Sequence, residues 1–173
     1  MEDQVPFGSG LYFVFLVSLL IGRGMDLLST WVATPRLTLE ANPLARKLGW
    51  KWGMPLNLGI CMLLSAWPLP AIMLATTSVL VAARNFQSAW LMRSMGEGHY
   101  RLWMSERLAE SNRLTFVSCL VGQAVLVGAV GLALVSFTKE LIPFAIGTGI
   151  ITYAVAVTFF IILSVWRIWR VIS

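Results

Sequence analysis

Long apolar runs interrupted by a few polar residues organise this chain. Five such runs stand out, at about 11–33, 54–67, 71–95, 114–137 and 141–168. A helix of about 20 apolar residues spans the hydrocarbon of a bilayer, so each run reads as a membrane crossing, the second being short for one. Thr34-Pro35 ends the first run. Asn42-Pro43 then starts a short helix over 43–50, with Asn as N-cap and Pro at the first helical position. That helix mixes Arg46 and Lys47 with Leu44, Leu48 and Trp50, a composition suited to the headgroup level. Trp67-Pro68-Leu69-Pro70 reads as a tight turn, because the residue before each proline is pushed out of helical geometry. The alternative is one kinked helix through Ala83, which would reverse the direction of everything after it. Gly96-Glu97-Gly98 breaks the third run. Residues 99–112 then read as a second surface helix, with Trp103, Met104 and Leu108 on its apolar side and a Glu97–Arg101 pair at i,i+4. The last two runs are joined by Thr138-Lys139-Glu140 and must be antiparallel neighbours. Small residues four apart, Ala124 with Gly128 and Ala145 with Gly149, predict a close approach between them.

Charge turns this pattern into an orientation. The chain of 173 residues is 58% apolar and 12% charged, outside the range of soluble domains and short enough to be one polytopic domain. Its net charge of +5 resides in short loops rather than on one basic face, which argues against nucleic acid as a partner. Arg36, Arg46, Lys47 and Lys51 fall between the first two crossings, Arg101, Arg107 and Arg113 between the third and fourth, with Arg93 at their edge, and Arg167 and Arg170 in the tail. The other side has Lys139 alone. The positive-inside rule then predicts an all-α, five-transmembrane-helix bundle of the inner membrane with two short interfacial helices, amino terminus outside and carboxyl terminus cytoplasmic. Trp31, Trp50, Trp52, Trp90, Trp103, Trp166 and Trp169 fall near the cytoplasmic interface in this arrangement. The acidic start Met1-Glu2-Asp3-Gln4 argues against a removable secretory signal. Cys61 and Cys119 are isolated in separate runs and read as small core residues, with no thiolate metal site.

The polar residues inside the crossings are the candidates for chemistry, because a charge near the bilayer midplane costs roughly 3 kcal/mol and turns inward. Arg23, Asp26 and Thr30 fall on one arc of the first helix with Ser29 at its margin; the third carries Arg84 and Ser88 with Asn85 beside them. Asp26 and Arg84 come to similar depth, so the two helices are expected to share a cytoplasm-facing pocket, with Glu40, Asn42 and His99 at its mouth. Plainer readings stand beside this one. Arg23 and Asp26 can neutralise one another as i,i+3 neighbours, Arg84 can snorkel, Asn42 can serve as a cap only, and His99 can be merely solvated. The single histidine excludes bis-histidine haem ligation and an HExxH zinc site, and no metal or cofactor motif is present in the sequence.

Asp26-Leu27-Leu28-Ser29-Thr30 followed by Glu40-Ala41-Asn42-Pro43-Leu44 resembles the D-x-x-S-T and E-x-N-P pattern of a family of small uncharacterised prokaryotic membrane proteins. The resemblance covers about a quarter of the chain and implies Asp26, Thr30, Glu40 and Asn42 as distinctive positions. Members of that family are smaller and lack the last two helices, and no activity comes with the resemblance. Three functions fit the residues. One is binding of an anionic small molecule or lipid headgroup for transport or flipping, through guanidinium recognition. Another is a membrane enzyme acting on a lipid-linked phosphate, with Asp26, Glu40 or His99 as acid or base. The third is an assembly subunit, held in a homo-oligomer or by a partner, whose buried charges fix register.

Overall fold

The structure is a computed structural model that describes residues 4–172, with side chains as far as Trp166. The acidic start at Met1–Asp3 and the side chains of Arg167, Trp169 and Arg170 lie outside the described residues. Among the described residues there are six helices and no strand: α1 (Gly10–Ala33), α2 (Pro43–Leu64), α3 (Pro68–Met95), α4 (Glu97–Glu110), α5 (Arg113–Phe137) and α6 (Leu141–Ile172). Within this set α1, α3, α5 and the Leu141–Trp166 part of α6 are long and apolar enough to cross a membrane. The chain is accordingly an all-α, multi-pass membrane protein.

Local sequence explains the ends of these helices. Ser9 caps α1 by accepting from the Tyr12 N–H at 3.2 Å, and Asn112 caps α5 by accepting from Leu114 N–H at 2.8 Å. Asn42 accepts from the N–H groups of Leu44 and Ala45, with Pro43 at N1. α2 is two legs rather than one rod: Gly49 has φ 62° and ψ −172°, a conformation only glycine adopts without strain, and it turns the chain between them. The short helix expected over 43–50 is therefore present as the first leg. The second leg runs from Trp50 to Leu64 and falls outside the group of long apolar helices.

Two boundaries differ from the sequence reading. Pro68 and Pro70 occupy the first turn of α3 rather than the turn before it, because the N–H groups of a first turn have no intrahelical hydrogen bond to lose. The break itself lies at 65–67, where Ser65 Oγ donates to Cys61 O and Trp67 N donates to Leu64 O. Likewise α4 begins at Glu97, two residues early, directly after Gly96 (φ 76°, ψ 150°).

Contacts between named residues give the helix directions. Gly22 lies against Ala75, and Ser29 and Thr30 meet Asn85, so α1 and α3 run the same way. Tyr12 Oη donates to Met62 O and Arg23 to Asn57, so the second leg of α2 runs opposite to α1. Thr77 Oγ1 donates to Gly149 O, while Arg84 faces residues from Tyr153 to Thr158, so α6 is parallel to α3 and α5 returns against it. α3 is the centre, packed on α1 along one side and on α6 along the other. Its α1-facing side presents small residues, Ala71, Ala75, Ser78, Ala82 and Ala89, which let the backbones approach. Beside it Leu19, Cys61 and Ala71 form the best-packed apolar cluster.

The close approach predicted between α5 and α6 occurs, but through other glycines. A Cβ added at Gly131 would lie 2.7 Å from Gly147 O, whereas one added at Gly128 would meet nothing within 4 Å. Gly149 is pressed against α3 instead, with Met73 O 2.8 Å from where its Cβ would be. Of the two cysteines, Cys61 is buried and Cys119 is exposed on α5 rather than packed in a core.

Candidate functional site

The polar residues of α1 assemble a network across three helices. Arg23 Nη1 donates to Asp26 Oδ2 at 2.8 Å and to Ser78 Oγ at 3.2 Å, while its Nε donates to Asn57 Oδ1 at 2.9 Å. Arg23 Nη2 also donates to Asn57 Oδ1. Asn57 in turn donates to Gly53 O at 2.7 Å, which fixes its amide with the oxygen toward the guanidinium. One helical turn further along α1, Ser29 is fully buried and donates to Asp26 O, and Asn85 Nδ2 donates to Ser29 Oγ at 3.3 Å and Thr30 Oγ1 at 3.4 Å. Ser88, by contrast, donates to Asn85 O of its own helix.

The loop after α1 folds back toward this network. Glu40 is close enough to Asp26 for the two carboxylates to repel, and its Oε1 accepts from Asn42 N–H at 2.8 Å. Burial pushes the Glu40 carboxyl above its usual range, partly offset by the Asn42 N–H and the nearby Arg46. The two halves of the D-x-x-S-T and E-x-N-P pattern are therefore neighbours in space as well as in sequence.

Arg84 does not join them. The expected Asp26–Arg84 pocket is absent: Asp26 is bonded on the α1–α2–α3 side, whereas Arg84 lines a separate cavity of about 10 Å³ with α5 and α6 residues including Gln123, Tyr153 and Thr158. Asn85 and Arg84 are adjacent residues, and 100° per residue sends one to α1 and the other to α6. Thr77, seven residues before Arg84, shares its α6-facing side.

A larger cleft of about 480 Å³ opens where α1 and α3 end, lined by Ala33, Pro35, Arg36, Met92, Arg93, Gly96, Glu97 and Gly98. Arg93 lies over the Trp31 ring at 5.7 Å. Glu97 is not paired with Arg101 as the i,i+4 spacing suggested. Its carboxylate crosses to the loop after α1 and accepts from Arg36 N–H at 2.8 Å, Thr38 N–H at 3.3 Å and the Thr38 hydroxyl. Burial raises the Glu97 carboxyl, but these hydrogen bonds and one from Thr34 outweigh it and hold the group below its usual range. The two guanidinium groups therefore leave one surplus positive charge in the cleft wall. His99 is exposed on the first turn of α4, next to Gly98 of the lining.

Asn57, Ser78 and the Arg36–Arg93 pair escaped the sequence reading. Asn57 did carry a signal, as the lone amide in the apolar stretch from Met54 to Leu64. Among the described residues no group of three or more His, Cys, Asp or Glu side chains could hold a metal ion. The chain matches no family model, no curated protein and no solved structure in the comparisons made.

Proposed function

We propose that this protein binds an anionic lipid headgroup, or a small molecule of the same charge, in the cleft at the foot of α1 and α3, and moves it along the polar seam between those helices. The observation that carries this reading is the cleft itself, in which Arg36 and Arg93 face open space while the lone carboxylate of the lining is committed to the loop. Guanidinium groups grip phosphate and carboxylate oxygens in a fork, and do so more strongly where water is scarce. Above the cleft the seam continues through Thr30, Ser29 and Asn85 to the Arg23–Asp26–Asn57–Ser78 network, a series of hydrogen-bonding groups suited to a polar passenger.

The reading takes the protein to be a five-crossing protein of the inner membrane, with the second leg of α2 as the short crossing. Helix directions support this: α1, α3 and α6 run one way, the second leg of α2 and α5 the other. The connectors at the foot end hold Arg36, Arg46, Lys47, Arg101 and Arg107, whereas that between α5 and α6 holds Lys139 alone. The foot is then cytoplasmic and the amino terminus outside. Trp31, Trp52, Trp90, Trp103 and Trp166 are exposed at that same end, in keeping with a headgroup-level belt.

The test is lipid selectivity in native mass spectrometry, followed by dithionite quenching of labelled lipid in proteoliposomes. At about 1 kcal/mol per basic residue, Arg36→Gln with Arg93→Gln should weaken retention of anionic over zwitterionic lipid roughly 30-fold. Arg23→Met with Asp26→Leu, which removes a charge pair together, should slow lipid movement while leaving that selectivity intact. Equal retention of both lipid classes by the wild-type protein would refute headgroup binding. A catalytic reading draws on the nearness of Asp26 to Glu40, and requires turnover of a lipid-linked phosphate that Glu40→Gln abolishes.

A further inference from the structure

α3 and α5 both pack along α6 without packing along one another, which leaves a groove with α6 as its floor. Arg84 stands on the α3 wall, Leu120 and Ala124 on the α5 wall, and Tyr153, Ala154 and Val157 form the base. The groove is half-open and almost entirely apolar; Arg84 is half-buried in it, and Gln123 is exposed at its edge. Nine residues separate Arg84 from Arg93, so at roughly 1.5 Å per residue its Cα lies about 13 Å deeper than Arg93. In a hydrocarbon layer of about 30 Å that is close to the middle. Snorkelling back to the foot is hindered, because Cα–Cβ bonds tilt toward the N-terminus of a helix and that of α3 lies at the far end.

Among the described residues Arg84 has no hydrogen-bond or ion-pair partner. α2, α3, α5 and α6 contain no Asp or Glu, and Asp26 of α1 is bonded to Arg23 on the opposite flank of α3. A cation at this depth favours a carboxylate at the same depth, which sets the chemistry of whatever covers the groove. A lipid headgroup holds its charge at the surface, too shallow by most of that distance. A second copy of this chain has only Asp26 within its long apolar helices, and that carboxylate is committed to its own Arg23. We propose that the groove docks one transmembrane helix of a different protein, with a single Asp or Glu near its middle that pairs with Arg84. The helix lays apolar side chains against α5 and α6, Ala124 and Ala154 admit its close approach, and its carboxylate receives the guanidinium fork. This partner sits on the flank of α3 away from the polar seam, and the assignment does not depend on the headgroup reading.

The probe is a Leu-rich transmembrane peptide with one central Glu, matched against the same peptide with Leu in its place. Fluorescence energy transfer between labelled peptide and labelled full-length protein, in bicelles of zwitterionic lipid, should saturate at about tenfold lower concentration for the Glu peptide. Arg84→Gln should remove that preference. Ala124→Phe keeps the guanidinium and fills the groove, so it tests the site if Arg84→Gln does not fold; it should weaken binding of the Glu peptide by a similar factor. Equal binding of the two peptides to the wild-type protein, or Glu-peptide binding that neither variant weakens, would overturn the assignment. Two other results would overturn it as well. Transfer between two copies of the protein that Ala124→Phe abolishes would give the groove to a second copy, and loss of the Glu preference on adding phosphatidylglycerol would give it to anionic lipid.

Discussion

Glu97 and Glu40 hold the loop after α1 from opposite directions, and pH separates them. The three donors on Glu97 favour its ionised form, so its folded-state value lies below the unfolded one. Its contribution is therefore complete above the ordinary glutamate range and is lost as pH falls below it, through the lowered folded-state value. Glu40 behaves in reverse: burial disfavours its ionised form, so folding costs free energy at higher pH and that cost is relieved as the group takes up a proton. On titration from neutral pH to about pH 3, below the ordinary glutamate value, thermal stability should first rise and then fall. Glu40→Gln should remove the rise and Glu97→Gln the fall, as read by unfolding in detergent at each pH. A monotonic profile in the wild-type protein, unchanged by either substitution, would show that the loop is held by something else.

Helix pairs in this molecule are set by a few glycines at which one backbone touches the next. Gly131 and Gly147 abut across α5 and α6, Gly22 lies against α3 from one side, and Gly149 does so from the other. A methyl group at Gly147 would stand 2.7 Å from Gly131 O and 2.8 Å from Leu134 Cβ, so the two helices must separate to admit it. Gly147→Ala should cost about 1–3 kcal/mol, and Gly128→Ala, with open space in front of it, should be nearly neutral. Equal losses in the two variants, measured by unfolding in mixed micelles, would contradict this account. The same contacts show how far the sequence could be read. Runs of apolar residues, Asn caps and prolines sufficed to locate the helices, because those signals are local. The Arg23–Asp26 pair and the nearness of Glu40 to α1 were legible for the same reason. Rotation about a helix axis was not. Small residues four apart mark a face without saying which neighbour it meets, so Gly149 went to α3 and Gly128 to no neighbour. Arg84 and Asn85, one position apart, likewise ended against different helices, α6 and α1. Asn57 needed its partner to be seen, since its role exists only opposite Arg23.

For the molecule as a whole, the arrangement is a central α3 with one polar flank and one nearly apolar flank. The polar flank gathers Arg23, Asp26, Asn57, Ser78 and Asn85, and the cleft lined by Arg36 and Arg93 lies where its two helices end. The other flank, against α5 and α6, carries Arg84 among mostly apolar residues of those helices.

Gly49 has a consequence beyond the course of α2. On the proposed five-crossing arrangement, in which the first leg lies at the surface and ends at Leu48, only Trp50–Leu64 is left to rise through the hydrocarbon, about 22 Å at roughly 1.5 Å per residue against a core of about 30 Å. That arrangement requires the surrounding lipid to compress along that one edge to meet the protein, while α1 and α3 nearby ask for full thickness. In nanodiscs the protein should melt higher in short-chain than in long-chain phosphatidylcholine, and lengthening the leg by one turn after Ile60 should erase the difference. Such a dimple would draw the two leaflets' headgroups toward each other beside the polar seam, shortening the distance that a displaced lipid has to travel.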